Sequence, residues 1–332
     1  MKKILISRTD SIGDAMLTLP MAGFLKNKFP GVEIYFLGKN YTRPLVECCH
    51  NIDHFISWDV LGSLDFKEQV ATFENLNLDA TIHVFPNKEV AKAIKAAKVP
   101  LRIGTSHRTF HWLTCNKLVD FSRKNSDLHE SQLNFKLLKP IVPTFSAEFE
   151  NMFSLSGFHA PEKHPEVDQL IDKSKINVIL HPKSKGSARE WGLENFEELI
   201  KLLPSEKYHI ILTGSEEEGQ LFRGELVDPF PKVCDATGRL SLIQLISLIA
   251  QADVLVACST GPLHIASALG INTVGIFPPI RPMHPGRWRP IGPKSTVFVK
   301  DTDCNKCRDN SICTCITEID PLEVAREIFQ IG

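Results

Sequence analysis

The chain has 332 residues with 38 Lys+Arg against 39 Asp+Glu, a formal net charge of -1. Hydrophobic residues make up 43% and charged residues 23%, ordinary for a soluble globular protein, which excludes disorder, collagen and coiled coil. The near-neutral balance argues against nucleic acid as a partner, and at roughly 100–200 residues per domain the length suits two domains.

Lys3–Ser7 is a short apolar run of the kind buried in a parallel sheet. Lys2 and Lys3 imitate the start of a signal peptide, but Arg8 and Asp10 cut the apolar stretch short. Helical periodicity over Ala15–Lys26 and a strand at Val32–Leu37 complete a βαβ start. A strand at His54–Trp58, a helix at Phe66–Asn75, a strand at Ala80–Val84, a helix at Lys88–Ala97 and a strand at Leu101–Gly104 continue it. From Thr144 to Lys175 periodicity fades among Gly157, Pro161 and Pro165, which reads as a domain end and linker. A second series follows: strands at Asn177–Leu180, His209–Thr213, Val254–Ala257 and Thr273–Phe277, with helices at Leu193–Leu203, Glu216–Leu226 and Ser241–Ala250. Val254–Phe277 is the most apolar region, but Ser259, Thr260, Pro262, His264, Ser267 and Asn272 make a lipid-spanning helix implausible. The expected fold class is α/β, two doubly wound domains, with ligands at the carboxyl ends of the strands. Domain bounds are set at 1–160 and 176–332, with 161–175 between them.

Four strand-to-helix loops or stretches are candidates for chemistry. In Arg8-Thr9-Asp10-Ser11-Ile12-Gly13-Asp14, Gly13 permits close approach, and Asp14 falls in the first helical turn. There it is either a catalytic base or a cap shared with Asp10 and Ser11. Cys258-Ser259-Thr260-Gly261-Pro262-Leu263-His264 offers hydroxyls, a glycine and free helix N–H groups to a diphosphate, or else is an ordinary N-capped junction. It matches neither a Walker A loop nor GxGxxG, which disfavours a nicotinamide-dependent oxidoreductase. His181–Trp191 concentrates Lys183, Lys185 and Arg189 beside small residues, fit for a phosphate leaving group or simply solvated. Between Lys88 and Lys124 nine basic residues face Glu89 and Asp120, an excess of +7, with Phe110 and Trp112 among them. Lys88, Lys92 and Lys95 share a helical face there, suited to an anionic acceptor, a lipid headgroup layer or plain water. Nine cysteines without an export signal read as cytosolic thiols. The cluster Cys304-x-x-Cys307 and Cys313-x-Cys315 is a poor match to paired Cys-x-x-Cys zinc spacing, so no metal is assigned.

Taken in order, ISRTDSIGDAMLTLP, HPKSKGSAREWGLENFEELI, the glycine of LTGSEEE, TGRLSLIQLISLIAQADVLVACSTGPLHIASALG and RWRPIGP resemble glycosyltransferase family 9, the ADP-heptose:lipopolysaccharide heptosyltransferases. The resemblance runs from about residue 1 to about residue 325. It implies GT-B architecture, two Rossmann-like domains facing across a cleft, and an inverting transfer without a required cofactor. It implies Asp14 as general base, Ser184, Lys185 and Arg189 on the phosphate-contacting loop, and Glu216 or Glu217 on the ribose. Leu240 matches an adenine contact, and Thr260, Gly261 and His264 match the diphosphate turn. The family commonly carries Asp where this chain has Ser259, and a hydroxyl binds a sugar hydroxyl more weakly than a carboxylate does. Arg8, Gly13, Lys88, Lys92 and Lys95 fall in the half that the resemblance assigns to the acceptor. The implied partners are an ADP-sugar donor, a lipopolysaccharide core acceptor and, peripherally, the cytoplasmic face of the inner membrane. The rival readings are a transferase using another nucleotide sugar or a protein acceptor, and a nucleotide-binding module without catalysis.

Overall fold

The computed structural model describes residues 1–123, 126–144, 146–300 and 314–331. The chain divides into two compact units, Met1–His159 and Ala160–Gly332. In the first, six parallel strands run in the order β3-β2-β1-β4-β5-β6: β1 Lys3–Ser7, β2 Glu33–Gly38, β3 His54–Ser57, β4 Ala80–His83, β5 Leu101–Thr105 and β6 Lys117–Val119. In the second, β7 Ile176–His181, β8 Tyr208–Leu212, β9 Cys234–Asp235, β10 Val254–Cys258, β11 Asn272–Phe277 and β12 Ser295–Val299 are also parallel, ordered β12-β11-β10-β7-β8-β9. Each sheet therefore has the doubly wound order 3-2-1-4-5-6, whose switch point lies between its first and fourth strands. Those central strands, exemplified by Ile4–Ile6, Val178–Leu180 and Val254–Ala257, are wholly buried, and helices cover both faces. That is why they read as unbroken apolar runs and not as alternating ones.

Two helices expected to be continuous are broken. The stretch after β1 forms Ile12–Met16 and then Leu19–Lys28. Pro20 stands at the start of the second piece without an N–H to continue the first, and Thr18 Oγ1 donates to Asp14 O at 2.8 Å. The stretch after β8 forms Glu216–Gln220 and Arg223–Leu226. Gly219 weakens the helix there, and a Cβ on it would lie 2.5 Å from Thr237 Oγ1 and 2.8 Å from Arg223 Nη2. The helix after β10 runs over Gly261–Leu269 with Thr260 as its N-cap. Residues 161–175 are not a free linker. Val167 is buried, Gln244 Nε2 donates to Glu166 at 2.9 Å, and Pro165–Asp168 packs on the helix Leu242–Gln251.

A buried histidine pair stands beneath the end of β4. His83 is fully enclosed, and neither ring nitrogen has a partner among the described residues. The His111 ring centroid lies 5.5 Å away, with its Nδ1 3.0 Å from Thr105 O. Gly104 makes room: a Cβ there would lie 2.6 Å from His111 Nδ1 and 2.9 Å from Cys115 Sγ. Desolvation, reinforced by His111 and Arg102, depresses the His83 pKa to about 3. Its folded pKa thus lies below its unfolded value, so the unfolded chain takes up the extra proton. The stabilisation is complete above about pH 6.5 and is lost as pH falls, at about 1.4 kcal/mol per pH unit. Urea titrations of His83→Phe should show this acid slope reduced by about one proton between pH 6.5 and 4.5. An unchanged slope would mean that His83 does not titrate in this range.

Candidate active site

The loops singled out from the sequence emerge at the switch points. In the first unit, Ser7 of β1 pairs in register with His83 of β4, and the chain then turns through Arg8–Asp14. Ser11 is the N-cap: its side chain accepts from the Asp14 N–H, and its hydroxyl donates to Asp14 Oδ2 at 2.6 Å. Capping thus falls to Ser11, and Asp14 Oδ1 is left to the Arg8 guanidinium, whose Nη2 donates to it.

Arg8 is only 4% exposed. Its Nε donates to Asp10 Oδ1 at 2.7 Å, and its Nη1 lies 3.4 Å from both Glu130 Oε1 and Asn134 Oδ1. Glu130, 1% exposed in its side chain, accepts from Arg123 Nε at 3.0 Å, and Arg123 Nη2 donates to Asn134 at 2.8 Å. Asn134 Nδ2 in turn donates to Leu17 O at 3.2 Å, which anchors the network to the turn after Asp14. Burial works against the Arg8 charge, but Asp14, Asp10 and Glu130 outweigh it and raise its pKa. Desolvation, helped by Asp14 and opposed by Arg8, pushes Asp10 up to about 6. Arg8 therefore acts as a positioning residue that holds a carboxylate, and its guanidinium is occupied by protein acceptors. Gly13 lies in the short helix and has no positive φ. Arg123 likewise belongs to this network and leaves the basic stretch; Lys124 lies outside the described residues. Lys88, Lys92 and Lys95 are exposed along the helix Lys88–Ala96, whose N-cap Asn87 accepts from the Glu89 and Val90 N–H groups.

In the second unit the loops after β10, β7, β8 and β9 lie side by side along the carboxyl edge of one sheet. Thr260 caps the nine-residue helix Gly261–Leu269 through its backbone, without a side-chain cap bond. Its hydroxyl is buried and has no partner among the described residues, at the N-terminus of a helix whose first N–H groups have no intrahelical acceptor. His264 is buried one turn in, its ring centroid 6.4 Å from that of Trp288, while Ser259 and Gly261 are half-buried. Burial pushes the neighbouring Cys258 thiol up to about 12, so it is not a nucleophile.

After β7, Glu190 braces the basic loop. Lys183 Nζ donates to it at 2.5 Å, and the Ser184 N–H and hydroxyl lie 3.0 Å from its Oε1. Lys185 (φ +47°) and Gly186 (φ +78°) are consecutive left-handed residues, a turn that projects the exposed Lys185 outward. Lys185 meets Glu217 at 3.4 Å, and Arg189 is half-buried. Glu216 is committed differently: Arg223 Nη1 and Nη2 each donate to it at 2.7 Å, and Arg223 Nε donates to Asp235 at 2.7 Å. Of the two acids proposed for a ribose, Glu217 is the more available. Gly238 (φ +71°) lets Glu216 approach, since a Cβ there would meet its carboxylate at 2.5 Å. Leu240 follows two residues later and is half-buried.

Sequence reasoning missed Glu130, Asn134, Glu190, Arg223 and Asp235. Glu130 is 122 residues from Arg8, and nothing local marks it beyond its place after a helix N-cap. Among the described residues no group of three or more His, Cys, Asp and Glu could hold a metal ion. Cys304, Cys307 and Cys313 lie outside them, and Cys315 is buried.

The family model for glycosyltransferase family 9 (heptosyltransferase) matches residues 77–315. A putative glycosyltransferase of Haemophilus influenzae is 28% identical over 301 residues, 88% of this chain and 86% of its own length. The lipopolysaccharide core heptosyltransferase OpsX of the same organism is 22% identical over 291 residues, covering 83% and 79%. Among solved structures, E. coli ADP-heptose lipopolysaccharide heptosyltransferase II has a TM-score of 0.78 and 18% identity, covering 100% of this chain and 98% of its own. Two parallel Rossmann-like units of this kind make up the GT-B class of enzymes that move sugars from activated donors. The chain belongs to glycosyltransferase family 9 and is a glycosyltransferase.

Proposed function

We propose that this enzyme transfers a heptose from ADP-heptose to a lipopolysaccharide core acceptor with inversion. The second unit holds the donor, and the first holds the acceptor and the base. The observation that carries the donor half is the buried, unpartnered Thr260 hydroxyl at the N-terminus of the helix Gly261–Leu269, a ready anion site. Leu240 and Glu217 are the groups for adenine and ribose, and Ser184, Lys185, Arg189, Gly261 and His264 those for the phosphates, with Ser259 toward the sugar. The lipopolysaccharide heptosyltransferases among the relatives support a heptose and a lipopolysaccharide core. The acceptor's place in a bilayer sets the reaction at the cytoplasmic face of the inner membrane.

In the reaction an acceptor hydroxyl oxygen forms a bond to the anomeric carbon as the bond from that carbon to the diphosphate breaks. The hydroxyl proton passes to Asp14, and the released electron pair stays on ADP. The helix N-terminus and the basic loop meet the charge that develops there. Arg8 Nη2 donates to Asp14 Oδ1 and holds that carboxylate in place. A thermal-shift panel of nucleotide diphosphates and nucleotide sugars tests the donor. A ligand at a hundredfold excess over Kd stabilises by about 2.7 kcal/mol, so ADP and ADP-heptose should stand out. A larger shift with a uridine or guanosine sugar would overturn the donor assignment.

A further inference from the structure

Trp112 and Leu113, on the short helix Thr109–Thr114, are 65% and 74% exposed, the most exposed large apolar side chains described in the first unit. The Trp112 indole N–H is already satisfied: it donates to Ser106 O at 2.9 Å, which fixes the ring with its apolar body toward solvent. This helix packs on Lys88–Ala96, whose outward positions are Lys88, Lys92 and Lys95. Lys98, Arg108 and Lys117 are exposed close by in sequence. None of these six cations makes an ion pair among the described residues, whereas the nearby Asp120 is matched by His107 at 2.8 Å.

Of the other exposed apolar side chains of this unit, Val60, Leu64 and Phe66 stand among Asp59, Asp65 and Glu68, where an anionic surface would be repelled, while Met1 and Tyr41 have no second exposed apolar side chain beside them in sequence. Charge and apolar pairing together thus single out one face. We propose that Trp112 and Leu113, flanked by these basic residues, dock on an anionic lipid bilayer. The ring and the leucine settle at the boundary of headgroups and acyl chains, and the cations lie among the headgroups. Neither element suffices alone: two apolar side chains hold only weakly, and each basic residue adds about fivefold to partitioning. Together they make a reversible peripheral contact. The proposal rests on the reading that the acceptor is a membrane-resident lipopolysaccharide core.

Co-sedimentation of the full chain with vesicles tests it, using phosphatidylcholine with and without phosphatidylglycerol. The parent should bind only the anionic vesicles, and less as salt rises. Trp112→Ala with Leu113→Ala should lower partitioning about tenfold while the ADP thermal shift stays unchanged. Reversing Lys88, Lys92 and Lys95 to Glu should lower it more than about a hundredfold. Brominated acyl chains should quench part of the parent's fluorescence and none of it in Trp112→Phe, which keeps Trp58, Trp191 and Trp288. Equal binding to neutral vesicles, no binding at all, or quenching that persists without Trp112 would overturn the docking face. So would a charge reversal that raises the KM for a soluble acceptor fragment but leaves vesicle binding intact. Transfer activity without vesicle binding sinks this proposal alone. Vesicle binding without heptosyl transfer sinks the functional reading and leaves the surface standing.

Discussion

Asp14→Asn is expected to lower turnover about 10²–10⁴-fold while ADP affinity stays within about twofold, measured by steady-state kinetics and calorimetry. Asn has the shape of Asp, and its amide oxygen can still accept from Arg8 Nη2. The Ser11 cap remains, so the short helix Ile12–Met16 has no reason to unravel. What disappears is the ability to take a proton. Removing the Asp14 charge also removes one of the influences that hold the Asp10 pKa up, so Asp10 should titrate lower in the variant than its parent value of about 6. A structural role for Asp14 would lower stability and spare turnover; a catalytic one does the reverse. Near-normal turnover would move the base to another residue.

Thr260→Val should weaken ADP binding about 10–100-fold and leave the unliganded protein as stable as the parent, or slightly more so. The hydroxyl is buried without a protein partner, so replacing it by a methyl of the same shape relieves a desolvated polar group. With a diphosphate bound, the same hydroxyl gains a charged acceptor, and hydrogen bonds to charged groups are worth about 1.5–3 kcal/mol. The two states therefore respond in opposite directions. Melting with and without ADP separates them in one experiment. If the variant loses stability without ADP and binds ADP normally, the hydroxyl serves the fold.

The doubly wound order was legible because the central strands are buried on both faces, which writes them into the chain as runs such as Ile4–Ile6 and Val178–Leu180. The loops followed, since strand ends locate them. The short edge strands Lys117–Val119 and Cys234–Asp235 carry too few residues to announce themselves. The helix Pro321–Phe329 was not read either, though its docking on Leu193–Leu202, together with the bond from Trp191 Nε1 to Ile319 O at 2.9 Å, closes the core of the second unit. Within the site, Asp14 and Thr260 were visible from local motif and position. Their environment was not. Glu130 and Arg223 act through partners that the chain brings together only on folding, and a charge that is buried and matched looks in sequence like any surface charge.

The Arg8 network also has a consequence for the order in which the protein is made. Arg8 leaves the ribosome early, but Glu130 and Asn134 follow more than a hundred residues later. At about 5–20 residues per second, the guanidinium waits on the order of ten seconds for the groups that match its charge. Until then the turn that carries Asp14 has only Asp10 and Ser11 to shape it, and closing so long a loop is an entropic step that local contacts cannot anticipate. The Asp14 carboxylate, the proposed base, is therefore among the last features of its unit to be set. A nascent chain released before residue 130 would contain the whole of the first motif and no organised base.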